Sequence, residues 1–167
     1  SIDLNYRRKL WTEREAQAAM RPLASRAHLL VANEEDLQSC LGVEVKGADV
    51  ASGALEVAGY REAAERVARE FGAELVAITL RESFSASRNG WSAVLWDGKA
   101  AAFHEGPRFD LTLVDRIGGG DSFAAGLVYG LVTGRGPEAS LRFAVAASAL
   151  KQSIPGDFDL VGVAEVD

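Results

Sequence analysis

Sulfur, proline and histidine are scarce in this chain: its 167 residues include one cysteine, one methionine, four prolines and two histidines. A single cysteine, Cys40, excludes an internal disulfide and fits a reducing, cytoplasmic compartment. Set in an apolar helix end, it reads as a small core residue. His28 and His104 lie far apart in sequence, and neither has a Cys or His companion at ligand spacing, which speaks against a zinc site. No run of about 18 apolar residues suggests a membrane span. No secretory leader is visible either. Basic charge is outnumbered, 18 Lys and Arg against 24 Asp and Glu, for a formal net charge of −6. That balance disfavours a phosphate-backbone partner such as DNA or RNA. Two phosphate motifs are also missing. No Lys followed by Ser or Thr completes a P-loop, and Phe123 stands where GxGxxG needs its last glycine.

What is present is a 48% apolar composition, enough for a core in a chain of one-domain size. Strand and helix signals alternate along it, the pattern of an α/β fold with parallel strands. Ser1–Leu4 reads as the tail of a strand. Thr12–Ala27 reads as an amphipathic helix, capped by Thr12 with Glu15 three residues on. His28–Ala32 is a short apolar strand, and Asn33–Leu41 a helix ended by Gly42. Asp49–Gly53 is a polar turn region. Tyr60–Phe71 is a helix closed by Gly72, and Glu74–Leu80 a buried strand. Ser92–Trp96 and Ala100–His104 form a hairpin turning at Asp97-Gly98. A helix follows Asp121, and Pro137–Gln152 is the last, with Pro137 in its first turn. No repeat, low-complexity tract or linker divides the chain.

The most informative stretch is Asp115–Phe123, DRIGGGDSF. It delivers three glycines and an aspartate to a helix, SFAAGLVYGLVTG, that is apolar on nearly every face and stops at Gly134 and Pro137. The first turn of a helix carries backbone N–H groups without intrahelical partners, and the macrodipole adds positive potential there. Gly118, Gly119 and Gly120 remove the Cβ atoms that would obstruct an anion, and they permit unusual φ values. Asp121 at the mouth of that cradle is a candidate base for a hydroxyl attacking phosphorus. The plainer alternative is an N-cap, with the carboxylate accepting from a backbone amide.

DRIGGGDSFAAGL resembles the second signature of the ribokinase-like sugar kinases, the pfkB family, close to DTxGAGDxFxAG. Arg116 replaces the usual Thr and Gly119 the usual Ala. The DRIGGGDSF form, with TLRES at Thr79–Ser83 and IPGDF at Ile154–Phe158, resembles the 2-keto-3-deoxygluconate kinase branch of that family. The resemblance implies Asp121 as catalytic base, which also contacts the substrate, and the amides of Gly118, Gly119 and Gly120 as the hole for the transferred phosphate. It implies ATP and Mg²⁺ as cofactors and a sugar acid as acceptor, phosphorylated at O6. Ribokinase, fructokinase and tagatose-phosphate kinase remain rivals within the family. Outside it, the rival is a non-catalytic α/β module that at most binds nucleotide.

Further positions carry the resemblance with alternatives beside them. Asp3, Asn5 and Arg7 form DxNxR at the carboxyl end of a strand, the edge where open α/β sheets bind ligands. The family uses an Arg there for the sugar acid and the phosphates, so Arg7 is the substrate and nucleotide candidate, with Asn5 beside it. A solvated loop is the alternative. Asn33 begins the family's NxxE, with Asp36 in place of Glu. Asn33 is a phosphate candidate, while Glu35 and Asp36 would act on Mg²⁺ only through water, or simply complement the helix dipole. Arg81 and Ser83 stand where the family's nucleotide loop follows a strand, although Arg81 next to Glu82 could form just a local ion pair. Asp157 is a candidate substrate contact. The small residues of Phe143–Leu150 fit helix packing, or by resemblance an adenine pocket. Trp11, Trp91 and Trp96 are read as packing residues.

In the family, DxNxR sits midway along the chain. The resemblance therefore implies that residues 1–167 are the C-terminal part of a single three-layer αβα domain with a mostly parallel sheet, incomplete on its N-terminal side. The first strands, the lid and most sugar contacts would lie upstream. The piece alone is expected to be inactive, its partners are ATP and a small sugar acid rather than nucleic acid or membrane, and homo-oligomerisation of the full-length protein is left open.

Overall fold

The structure, a computed structural model, describes residues 1–46, 48–49, 54–55 and 57–167. In chain order its elements are β1 (Ile2–Asp3), α1 (Glu13–Ala24), β2 (Leu29–Ala32) and α2 (Glu34–Asp36), which runs into a π-helical stretch at Leu37–Leu41. Then come β3 (Ala48–Asp49), β4 (Ala54–Leu55), α3 (Val57–Phe71), β5 (Leu75–Ser83), β6 (Arg88–Asp97), β7 (Ala102–Glu105) and β8 (Phe109–Thr112). The chain closes with α4 (Gly119–Val132), α5 (Pro137–Lys151) and α6 (Val163–Val166). Two compact units are distinguished. One comprises Ser1–Asp49, Ala54–Thr79 and Val94–Phe103, and the described part of the other is Leu80–Ala93 and His104–Asp167.

In the first unit β1, β2 and β5 are parallel, with Ile2 opposite Leu30 and Leu30 opposite Val76. All four residues of β2 are buried, the continuous apolar run of a strand covered on both faces. Each buried side chain such as Leu30 or Ile78 contributes about 1.5–3 kcal/mol by leaving water. Helix α1 starts as its sequence dictates: Thr12 accepts from the Glu15 amide, and Glu15 reaches back to the Thr12 amide. Ala16, Met20 and Ala24, four residues apart, form its buried stripe. It ends three residues earlier than expected, because the amides of Arg26 and Ala27 turn onto Leu23 and Ala24, tightening the exit to three-residue turns. The guanidinium of Arg21 ties α1 to α3, lying 5.0 Å from the Phe71 ring and 2.6 Å from Glu70.

The expected hairpin is real but longer and differently closed. Asp97 Oδ1 accepts from the amides of Lys99 and Ala100, and Ala101 takes the left-handed backbone at φ 49°. The connection is thus a side-chain-closed four-residue turn rather than a two-residue Asp-Gly turn. Gly98 serves a close approach instead: its amide donates to the Glu74 carbonyl at 2.8 Å, and a Cβ would stand 3.2 Å from that oxygen. The expected Asn33–Leu41 helix is also only partly α-helical. The polar turn expected at Asp49–Gly53 begins in β3, which pairs antiparallel with β4, and its residues 50–53 lie outside the described residues.

In the second unit β8 pairs antiparallel with β6, Arg88 opposite Thr112 and Trp91 opposite Phe109. The sheet is therefore mixed, parallel among β1, β2 and β5 and antiparallel between β6 and β8. Helices α4 and α5 pack closely because glycines face them: a Cβ on Gly126 would lie 3.0 Å from Ala144 Cα, and one on Gly130 2.6 Å from Ser140 Oγ. Ala144, Ala147 and Ser148 are buried, so the small residues of α5 do serve helix packing. Trp91 and Trp96 are buried as packing residues. Among the described residues no helix is long and apolar enough to cross a membrane.

Candidate functional site

Helix α4 begins on Gly118, whose backbone is left-handed at φ 79° and which offers no side-chain cap. Gly119, Gly120 and Asp121 are its first three helical residues. Asp121 is therefore not the N-cap that a plainer reading would make it. It is exposed, and among the described residues its carboxylate accepts no hydrogen bond. The first regular helical bond is from the Ser122 amide to Gly118 O at 2.8 Å. The Gly119 amide turns back to Arg116 O at 3.2 Å, while those of Gly118, Gly120 and Asp121 have no acceptor among the described residues. A tight turn engages the middle glycine, and the free donors are at 118, 120 and 121.

The three glycines are needed for different reasons. A Cβ on Gly118 would meet Asp157 O at 2.3 Å, on top of the left-handed φ, and one on Gly119 would press on Gln152 Cγ at 3.2 Å. Around Gly120 a Cβ would meet nothing within 4 Å. Packing explains the first two, and the third leaves open space beside a free amide.

The loop is braced from below. Asp115 accepts from the amides of Ile117 and Gly156, each at 3.0 Å, and those two bonds hold its carboxyl below the usual range. Ser148 donates to Gly119 O at 2.7 Å, and Gln152 O receives the amides of Val114 and Asp115. Ser122 Oγ donates to Asp159 at 2.6 Å. Arg116, the residue in place of Thr, donates to Ala86 O and to the buried Asn89. Most unexpected is Lys151, fully buried, whose ammonium donates to Gly156 O at 2.7 Å and Ile154 O at 3.3 Å. Sequence reasoning missed Lys151, Ser148, Gln152 and Asp159. The available signal was a lysine directly after the apolar run FAVAASAL and just before IPG.

Asp157 belongs to this assembly through its carbonyl against Gly118, and its side chain is exposed. Arg81 and Ser83 are also exposed, but they stand on β5 rather than in the loop expected after it, because the strand continues to Ser83 and returns through residues 84–87 into β6. The local ion pair of Arg81 with Glu82, the alternative to a nucleotide role, is absent among the described residues. Glu82 is taken instead by Arg108 in a two-pronged contact at 3.2 and 2.9 Å.

The first unit holds the other candidates. The Leu4 amide donates to Val31 O, and Asn5, at φ 41°, then turns the chain away from β1, a backbone conformation asparagine tolerates better than most residues. Arg7 is exposed and uses one nitrogen on Tyr6 O. Asn33 caps α2, its side chain accepting from the Asp36 amide, and Asp36 reciprocates to the Asn33 amide. The other oxygen of Asp36 accepts from the Tyr6 amide at 2.8 Å. Burial pushes the Asp36 carboxyl up, while the amides of Tyr6 and Asn33 pull it down. Asp36 thereby joins the DxNxR segment to the Asn33 turn. It is 5% exposed, so its carboxylate is a brace and is poorly placed to reach a hydrated metal. Glu35 is exposed beside it.

Among the described residues no group of three or more His, Cys, Asp or Glu could hold a metal ion. A Mg²⁺ carried on nucleotide phosphates keeps several waters and needs only one or two carboxylates. Glu35, exposed in the first unit, is a carboxylate of the kind such an ion needs.

The model of the pfkB family carbohydrate kinases matches residues 1–157. A 2-dehydro-3-deoxygalactonokinase of Haloferax volcanii is 31% identical over all 167 residues, which correspond to 45% of that protein. The crystal structure of a 2-dehydro-3-deoxygluconokinase from Thermotoga maritima superposes with a TM-score of 0.88 at 41% identity, covering 98% of this chain and 47% of the other. A pfkB family carbohydrate kinase from Listeria grayi gives 0.82 at 26% identity, with 98% and 47% covered. The chain thus spans about half the length of the relatives it matches. With a matching family model over nearly its whole length and the glycine-aspartate helix start in place, the chain belongs to the pfkB family of ribokinase-like carbohydrate kinases.

Proposed function

We propose that this chain is the phosphoryl-transfer part of an ATP-dependent sugar-acid kinase acting on 2-keto-3-deoxygluconate at its 6-hydroxyl. The observation that carries the reading is the start of α4, where free amides and open space at Gly120 adjoin an uncapped, exposed Asp121. Asp121 removes the proton of the acceptor hydroxyl as its oxygen bonds to the γ-phosphorus of ATP and the bond from that phosphorus to the ADP oxygen breaks. The amides at 118, 120 and 121 receive the charge that accumulates on the transferred phosphate oxygens. Mg²⁺, when bound with ATP, supplies further neutralisation of those oxygens. Asp121 and the glycine amides need no covalent intermediate to do this.

The acceptor class rests on two supports. Relatives at 31% and 41% identity are both named for kinases of 2-dehydro-3-deoxy sugar acids. Arg7, exposed and with most of its guanidinium free, suits a carboxylate through paired hydrogen bonds. Asn5, Asn33, Arg81 and Ser83 are assigned to the nucleotide and its phosphates, and Asp157 to the sugar acid. On this reading the chain is the C-terminal part of one kinase domain, and residues 1–167 alone do not turn over.

The test offers the full-length protein ATP, Mg²⁺ and, in parallel, 2-keto-3-deoxygluconate, its galactonate epimer, ribose and fructose. Preference for the gluconate acid is expected, with no turnover by residues 1–167. Preference for ribose or fructose would overturn the acceptor. Asp121→Asn is expected to lower kcat by about a thousandfold or more while ATP binding persists. Residual turnover within about tenfold of wild type would refute Asp121 as the base.

A further inference from the structure

Lys151 is the most heavily buried charge near the glycine loop, with 0% exposure. Among the described residues it has no carboxylate within ion-pair distance. Its ammonium is held by two carbonyls, Gly156 O at 2.7 Å and Ile154 O at 3.3 Å. A buried ammonium in such company is costly, and an apolar side chain of similar length would fill the space without that penalty. Some other demand keeps the charge there.

Its neighbours identify the demand. Lys151 Cε lies 3.1 Å from the place a Gly118 Cβ would occupy, so the side chain runs directly beneath the turn that opens α4. The Gly156 residue is gripped from two sides: Lys151 takes its carbonyl, and Asp115 Oδ2 takes its amide at 3.0 Å. The next carbonyl, Asp157 O, abuts Gly118. Asp115 also holds the Ile117 amide, and Lys151 is close enough to help lower its pKa, after the amides of Ile117 and Gly156. The 115–118 and 154–157 segments are therefore fastened together, and the cation sits below the free amides.

Resting on the phosphoryl-transfer reading above, we infer that Lys151 is a positioning residue, an internal cation that fixes the Gly118 turn and adds positive potential beneath the amides that receive the migrating phosphate. Its field acts on charge that grows in the transition state, so its loss lowers kcat and leaves the acceptor KM nearly alone.

The experiment compares the full-length wild-type enzyme with Lys151→Met, which keeps length and removes charge, and with Lys151→Ala assayed in ammonium chloride against equal sodium chloride. Lys151→Met is expected to fold, to lose about a hundredfold in kcat and to keep its acceptor KM within about threefold. Ammonium, and not sodium, is expected to restore turnover to Lys151→Ala while leaving wild type unchanged. A Lys151→Met kcat within about threefold of an active wild type overturns the inference. So does a folded Lys151→Ala that ammonium fails to rescue. Should Lys151→Met not fold, Lys151→Ala refolded in ammonium carries the same two outcomes. Wild-type inactivity toward every acceptor is a different result, which removes the kinase reading itself.

Discussion

Two helices of this molecule begin in acidic sequence next to a polar cluster, and their first turns are finished in opposite ways. At α2, Asn33 and Asp36 cap one another's amides, and Asp36 binds Tyr6 as well, so the turn is closed by its own side chains. At α4 no side chain caps the turn, and amides at 118, 120 and 121 are left without acceptors beside an exposed aspartate. Orphan donors at a helix start are normally satisfied by a cap, by water or by a ligand. The first turn is built to hold a backbone junction together, the second to remain available.

The comparison can be broken at either end. The largest effect is expected from Gly118→Ala, which forces a left-handed side chain, costing about 1–2 kcal/mol, and drives its Cβ into the Asp157 carbonyl. Both melting temperature and turnover of the full-length enzyme should fall, and a variant indistinguishable from wild type in both would show that the turn is not required. Next comes Asp36→Ala, which strands the Tyr6 and Asn33 amides. A loss of about 1–3 kcal/mol is expected in denaturant unfolding, with turnover of the folded fraction reduced far less than by Asp121→Asn. If Asp36→Ala kept full stability but lost activity, the two helix starts would not differ as described.

Much of this contrast was legible in the residues. GGGD before an apolar helix, Thr12 with Glu15, and the strand–helix alternation all report local physics, which a sequence displays directly. Three other features depended on distant partners. Asp36 reads as one of three acids at a helix start, and only the Tyr6 amide, 30 positions away, makes it a brace. Gly119 looks equivalent to its neighbours until Arg116 O claims its amide. Lys151 follows an apolar run, but its purpose lies in Gly156 and Asp115, which pattern alone does not bring together. Strands β3 and β8 were missed because two to four residues are too few for a period to register. The hairpin was found from Asp97-Gly98, yet its turn was misjudged because Asp97 closes it with a side chain and Gly98 answers to Glu74.

The most direct test of the account is Gly120→Ala, the one glycine of the three whose Cβ the fold would accommodate freely. Alanine is the better helix former by about 1 kcal/mol, so the full-length variant is expected to melt at or slightly above wild type. Turnover is nevertheless expected to fall by about a hundredfold or more, because the added methyl occupies the approach to the free amide. A Gly120→Ala enzyme with wild-type stability and wild-type kcat would contradict the claim that this open space receives the phosphoryl group.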